Sequence, residues 1–358
     1  MNLVHLKEAA RIFSRSSASL PKYSGSAKDI CNQIVEACFN GRYFQVSKGH
    51  FSEFFCRDFS WCVTPLLGLG YRRQVYSTLS YALDCFSHHN KIAVAISPDG
   101  VPFDYPTYAV DSLASLLYCL AQAKAQDLAA KHKQLLEYEL RLIIKIVLDK
   151  KTGLVTSNRY FSSARDHYKR MSSCYDNCML GMISCSLDRL GFDNPLSKYD
   201  YSELLLQNFW TGTGFIDDLS GVKTVTGDAN VFPYWSGIIT DSGMLRKSIA
   251  AIRKQELDSP FPLKYSIDSA GKKFFCDIFT PNYEGSSIWS YLGMLYLGQV
   301  GKVNKKLYRQ YLRQYTLQIE QHGNFLEVFH PDGRPYSSKF YLCDHSMLWA
   351  ALYLDLAK

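Results

Sequence analysis

The sequence has no apolar run long enough to cross a bilayer, so no membrane partner is expected. It also lacks a basic stripe with interleaved aromatics and any nucleic-acid motif. The net charge of +7 comes from scattered Lys and Arg. Short runs such as Lys302 to Lys306 read as a solvated helix face, and no nucleic-acid partner is expected. The 11 cysteines are an odd number with no regular framework. Cys174 and Cys178 stand four apart, and Cys56 and Cys62 flank a helix start, but neither pair completes a four-ligand zinc pattern. No metal and no cofactor are therefore expected. Buried free thiols suit a reducing compartment. No signal peptide is seen, because Met1 to Phe13 is an amphipathic stretch with Lys7 and Arg11 inside it. A cytoplasmic location is the expectation. Low-complexity tracts, sequence-level repeats and convincing strand alternation are also missing.

Helical periodicity is abundant. Leu136, Leu140, Ile143, Ile144 and Val147 recur at helix spacing, as do Leu307, Tyr308, Tyr311, Leu312, Tyr315 and Ile319. The pattern predicts helices over 27–40, 58–69, 71–87, 107–123, 127–149, 174–190, 200–210, 229–240, 242–256, 284–299, 302–322 and 342–357. The links after the even-numbered members are short and those after the odd-numbered members are long. Short links join antiparallel neighbours, so six helical hairpins in series can close into a double ring. The expected fold is all-α, an (α/α)6 toroid formed as one domain over 1–358, with 1–25 as an N-terminal extension. All six long loops then emerge at one end, where function concentrates.

Those loops hold the unusual residues. They carry Arg57-Asp58, Pro98-Asp99-Gly100, Arg165-Asp166-His167-Tyr168, Tyr175-Asp176-Asn177, Asp217-Asp218 and Asp228-Ala229-Asn230. Farther along come Tyr283-Glu284, Asn324-Phe325-Leu326-Glu327, Pro331-Asp332-Gly333 and Asp344-His345. The sequence has 25 Tyr and 21 Phe. Sugars stack their apolar ring faces on aromatic side chains and bind their hydroxyls to Asp, Arg and Asn. Hydrolysis of a glycosidic bond then takes two carboxyl groups: one gives a proton to the leaving oxygen, and the other activates water or attacks.

Helix order and these local motifs together resemble the six-hairpin glycosidases: glucoamylase, trehalase, glycogen-debranching glucosidase and mannosylglycerate hydrolase, with amylo-α-1,6-glucosidase-like proteins nearest. The carriers are Arg57-Asp58 opening the second helix, Tyr175-Asp176-Asn177 opening the sixth, and Phe325-Leu326-Glu327 with Pro331-Asp332-Gly333 before the last. The resemblance implies a glycoside hydrolase acting on a carbohydrate, inverting and exo-acting on a small α-glucoside or related oligosaccharide. It implies Asp176 as general acid, Glu327 as general base, and Arg57 and Asp58 gripping sugar hydroxyls. The chain is short for this superfamily and lacks a separate N-terminal β-domain. The acid is Asp, as in the mannosylglycerate hydrolases, where glucoamylases have Glu.

Each residue also has a structural reading. Asp176 can be a helix-start charge, and the helix dipole there opposes the raised pKa an acid needs. Glu327, alone in an apolar run, can be a buried partner for Arg334. Arg57-Asp58 can be an ion pair capping the second helix. Asp217 and Asp218 can be turn acids, calcium ligands or substitutes for the acid, and Glu284 is the reserve acid. Further candidate substrate contacts are Tyr175, Asn177, Asp228, Trp235, Tyr283, Trp289 and His345, with Trp61 as a core alternative to the stacking platforms. A rival chemistry on the same ring is a sugar epimerase using His50, His167, His330 and His345, or an unsaturated-uronyl hydrolase. A non-catalytic carbohydrate-binding protein is the third reading.

Overall fold

The computed structural model describes residues 3–15, 20–267 and 271–358. Helix α1 (Leu3–Arg15) precedes the ring. The ring's outer helices are α2 (Ala27–Cys38), α4 (Arg72–His88), the pair α6 (Gln126–Lys131) and α7 (Lys133–Ile146), α9 (Tyr201–Phe209), α11 (Ser242–Lys254) and α13 (Lys305–His322). They alternate with inner helices α3 (Cys56–Gly68), α5 (Asp111–Ala123), α8 (Cys174–Leu190), α10 (Phe232–Trp235), α12 (Ser290–Val303) and α14 (Ala350–Leu356). Each inner helix packs on the next in the order α3, α5, α8, α10, α12, α14, and α14 returns to α3. The architecture is therefore an (α/α)6 toroid.

Sequence sorts the two rings. Outer helices bury one stripe: α13 buries Leu307, Tyr311, Tyr315 and Ile319 and leaves its polar face wet. Inner helices are covered on all sides, and α8 buries nearly its whole length from Cys174 to Leu187. Close approach needs a small residue there. A Cβ on Gly181 would stand 2.5 Å from Ile238 Cδ1 and 3.0 Å from Tyr201 Cβ.

Several boundaries differ from the sequence expectation. The helix expected over 229–240 is reduced to α10, because Pro233 stands in its first turn and Gly237 ends it at φ +78°. The helices expected from 107, 284 and 342 begin at Asp111, Ser290 and Ala350. Their leading residues are used in the mouth instead. There β4 (Ile288–Trp289) pairs antiparallel with β5 (Val328–Phe329). A second small sheet joins β1 (Phe54–Phe55), β2 (Ala95–Ile96) and β3 (Pro102–Phe103). The helix expected over 127–149 is split at His132. The described cysteines are free thiols, most of them buried.

The consequence for function is orientation. Every long loop runs from an outer helix to an inner one, so all inner helices present their N-termini to the same mouth. Helix N-termini favour carboxylates, and Asp58, Asp111 and Asp176 occupy the first turns of α3, α5 and α8.

Candidate active site

One side of the mouth is organised by two buried arginines. Arg57 donates from Nε to Asp111 Oδ2 at 2.6 Å and from Nη1 to Asp166 Oδ2 at 3.0 Å. Tyr175 donates its hydroxyl to the same Asp111 oxygen at 2.7 Å. Arg170 donates to Asp228 Oδ2 at 2.6 Å and to Asp217 Oδ1 at 3.0 Å, and also holds Ser163 Oγ. Burial disfavours these guanidinium charges, but Asp111 and Asp166 around Arg57, and Asp228 and Asp217 around Arg170, hold both well above the ordinary arginine range.

Asp176 lies between the two arginine clusters. Ser173 caps α8 and donates its hydroxyl to Asp176 Oδ2 at 2.7 Å. The other oxygen, Oδ1, is buried without a hydrogen-bond partner. Burial pushes this carboxyl up to about 7, against the pull of Arg170 and the Ser173 hydroxyl. Desolvation thus outweighs both. Asp166 is also pushed to about 7 by burial, with Arg57 opposing and Glu284 adding to the shift. Its side chain keeps 19% exposure, whereas Asp111 has none. Asp58 accepts from Trp349 Nε1 at 3.0 Å and is pushed by burial to about 6.

Glu327 stands on the same rim, immediately before β5, and its carbonyl accepts from Ser290 N at the start of α12. Its Oε2 accepts from Tyr341 at 2.6 Å and from Asp344 N at 2.8 Å, and Oε1 accepts from the Tyr283 hydroxyl. Burial, then the nearby Asp344 charge, raises this carboxyl to about 8 despite those three donors. Asp344 is itself gripped by Ser47 Oγ and by the amides of His50, Phe51 and His345.

Glu284 links the two sides. Its carboxylate accepts from His167 N at 2.6 Å, its carbonyl accepts from Arg165 Nε at 3.2 Å, and the His167 ring lies 5.4 Å from Tyr283. Beneath this polar layer the ring axis is closed by aromatics. Trp61 stacks flat on Tyr291 at 3.8 Å, and Trp349, Phe232, Tyr175 and Trp289 pack around them. Their polar tips turn to the acids: Tyr175 to Asp111, Trp349 to Asp58. The arrangement is a buried layer of acids and arginines set over packed aromatic rings.

Not every residue expected at the mouth is there. Trp235 packs on Tyr118, which lies seven residues beyond Asp111 along α5, on the order of 10 Å down the ring toward its other end. Asn177 spends both ends of its amide on Val155, Ser172 and Ser173, so it pins the loop and faces no substrate. Trp289 is buried with its Nε1 on Tyr283 O at 2.8 Å, which makes it a support for Tyr283 and no open platform. Asp218 caps its own loop through Met171 N and Ser220 N, and Asp217 is neutralised by Arg165 and Arg170. Glu284 lies in the loop ahead of α12 and does not open it. His345 is half-buried and sits against Ser346 Oγ at 3.0 Å. Arg334 pairs with Asp332 on the surface and leaves Glu327 to the tyrosines.

Three participants were not assigned from sequence: Asp111, Asp166 and Arg170. Asp111 was hidden inside the helix expected from 107. Asp166 and Arg170 stood in the unusual Arg165–Tyr168 stretch or just beyond it, and nothing local tells such residues from ordinary loop charges. Among the described residues, no group of three or more His, Cys, Asp or Glu is placed to hold a metal ion, and no helix is long and apolar enough to cross a membrane.

No family model and no curated protein matches the sequence. Solved structures do. One is a glycosidase, 14% identical at a TM-score of 0.65, with 98% of this chain and 97% of that chain covered. A variant of it in complex with glucose matches at 0.63 with 14% identity. The rhamnosidase from Klebsiella oxytoca with rhamnose bound is 11% identical at a TM-score of 0.62, over 95% of this chain and 65% of that one. The GH63 mannosylglycerate hydrolase from Thermus thermophilus is 12% identical at 0.61, over 93% and 100%. By fold, then, this chain is an (α/α)6 toroid of the kind these glycosidases share.

Proposed function

We propose that the chain is a glycoside hydrolase that takes the terminal residue of a small α-glucoside or related oligosaccharide at the mouth and cleaves it with inversion. The observation that carries this reading is the pair of buried carboxyls, Asp176 and Glu327. Both are pushed toward neutral pH, and both stand on one rim above an aromatic floor.

In the proposed step, protonated Asp176 gives its proton to the glycosidic oxygen as the bond to the anomeric carbon breaks. Ionised Glu327 takes a proton from water, and the water oxygen bonds to the anomeric carbon on the opposite face. Arg57, oriented by Asp111, holds sugar hydroxyls with Asp58, and the aromatic rings take the apolar ring face. Free buried thiols fit a cytoplasmic setting.

A second assignment of the acid is favoured by one observation: Asp166 is more exposed than Asp176 and so meets a leaving group more readily. Release of reducing sugar from a panel of α- and β-linked disaccharides, with the anomer read by NMR, tests the function. Asp176→Asn, Asp166→Asn and Glu327→Gln then assign the roles. A substrate that exchanges a carbon-bound proton with solvent and is never cleaved would instead support the epimerase reading.

A further inference from the structure

His50 has no part in the proposed step, yet one hydroxyl separates its ring from the base. Its Nε2 lies 3.1 Å from the Tyr341 hydroxyl, and that hydroxyl donates to Glu327 Oε2 at 2.6 Å. On the other side of the ring, Nδ1 stands 3.6 Å from Asp344 Oδ1, and the His50 amide donates to the same oxygen at 3.0 Å. The row Asp344, His50, Tyr341, Glu327 joins the loops ahead of α3 and α14. All four are buried, with Tyr341 the most exposed at 4%.

Counting hydrogens shows how the row works. Tyr341 has one hydroxyl proton, and an ionised Glu327 takes it. Tyr283, 2.9 Å from Tyr341, spends its own proton on Glu327 Oε1. The Tyr341 oxygen then accepts from His50, so Nε2 carries a proton, and a second proton on Nδ1 suits the Asp344 carboxylate facing it. Ionised Glu327 therefore goes with an imidazolium. When Glu327 is protonated the bonds reverse. Glu327 donates to the Tyr341 oxygen, Tyr341 donates to a bare Nε2, and the one ring proton sits on Nδ1. Passing from the second arrangement to the first moves the Glu327 proton to Tyr341 and the Tyr341 proton to Nε2.

Burial opposes each charge by itself. It raises the Glu327 pKa and lowers that of His50, where Asp344 works against it while His345, Arg15 and Arg11 add to it. Transfer along the row ionises the base at constant cluster charge and leaves the new cation between two carboxylates.

We infer that His50 and Glu327 share one proton through Tyr341, and that His50 holds it while Glu327 acts as base. His50 touches no reacting atom, so it is a positioning residue for that proton. Its effect on turnover rests on the glycosidase reading; the sharing itself does not.

The test is an NMR titration of the full chain with 15N-labelled histidine and 13C-labelled glutamate, the two side chains assigned through their backbone amides. The expected result is one common midpoint for His50 and Glu327. In Tyr341→Phe the two midpoints should separate by about one pH unit or more. A His50 ring that stays neutral while Glu327 titrates overturns the inference, and so does a common midpoint that survives Tyr341→Phe. His50→Gln still donates to Tyr341 but takes up no proton, so it should lower kcat at neutral pH about tenfold or more and leave KM unchanged. Unchanged kcat overturns the role given to His50. A common midpoint without cleavage of any glycoside supports the sharing and removes only the hydrolytic proposal; cleavage with separate midpoints does the reverse.

Discussion

Tyr341 places its hydroxyl 2.6 Å from Glu327 Oε2 and donates to it. That bond favours the ionised carboxylate and works against burial and Asp344, which push Glu327 to about 8. Tyr341→Phe should therefore raise the Glu327 pKa further. A hydrogen bond to a charged group contributes roughly 1.5–3 kcal/mol, which corresponds to a shift of about 1–2 pH units. Because Glu327 lies above Asp176, the alkaline break of the kcat pH profile should move up by that amount and the maximal rate should fall, while the acidic break stays. An unmoved alkaline break would remove Glu327 as the base.

The two carboxyls set an unusual pH optimum. A base at about 8 must lose its proton and an acid at about 7 must keep its own. The productive form is thus a minor one, greatest between these values, and the rate should follow a narrow bell centred there. Asp176→Asn should lower kcat by about 10²–10⁴-fold and abolish the alkaline limb. If Asp166→Asn does this and Asp176→Asn does not, Asp166 is the proton donor.

Glu327 also couples folding to pH. Its folded pKa of about 8 lies above the ordinary 4.5. The folded state therefore keeps a proton that the unfolded chain releases, and Glu327 costs stability increasingly as pH rises from 4.5 through about 8. Glu327→Gln imitates the protonated group at every pH. The Tm difference between variant and wild type should grow in favour of the variant as pH rises through that same interval. A constant difference would mean that Glu327 does not titrate in that window.

Arg57 neutralises Asp111 and Asp166 together. Arg57→Ala leaves both carboxylates without their cation and should destabilise by about 3–5 kcal/mol in urea unfolding. Arg57→Lys keeps the charge but loses the fork that spans the two acids, so it should fall between the two. A loss under about 1 kcal/mol on the alanine change, against the roughly 3–5 expected, would show that the acids are held by other means.

Much of this protein was legible in its sequence. Apolar periodicity gave the helices, and the alternation of short and long links gave six hairpins with their loops at one end. Both signals are complete within a few dozen residues. Acids at the starts of α3 and α8 were equally visible, because a helix start is a local event.

What only the tertiary structure decided are the partnerships. Arg57 meets Asp111 across 54 positions and Asp58 meets Trp349 across 291. Such pairs exist only once the ring closes and α14 packs on α3. The same closure buries Asn177 in loop-pinning bonds, takes Trp235 away from the mouth, and makes Trp289 a prop for Tyr283. A residue's helix face is set by its immediate neighbours. Its burial, its charge partner and hence its pKa are set by side chains that arrive from the far end of the chain.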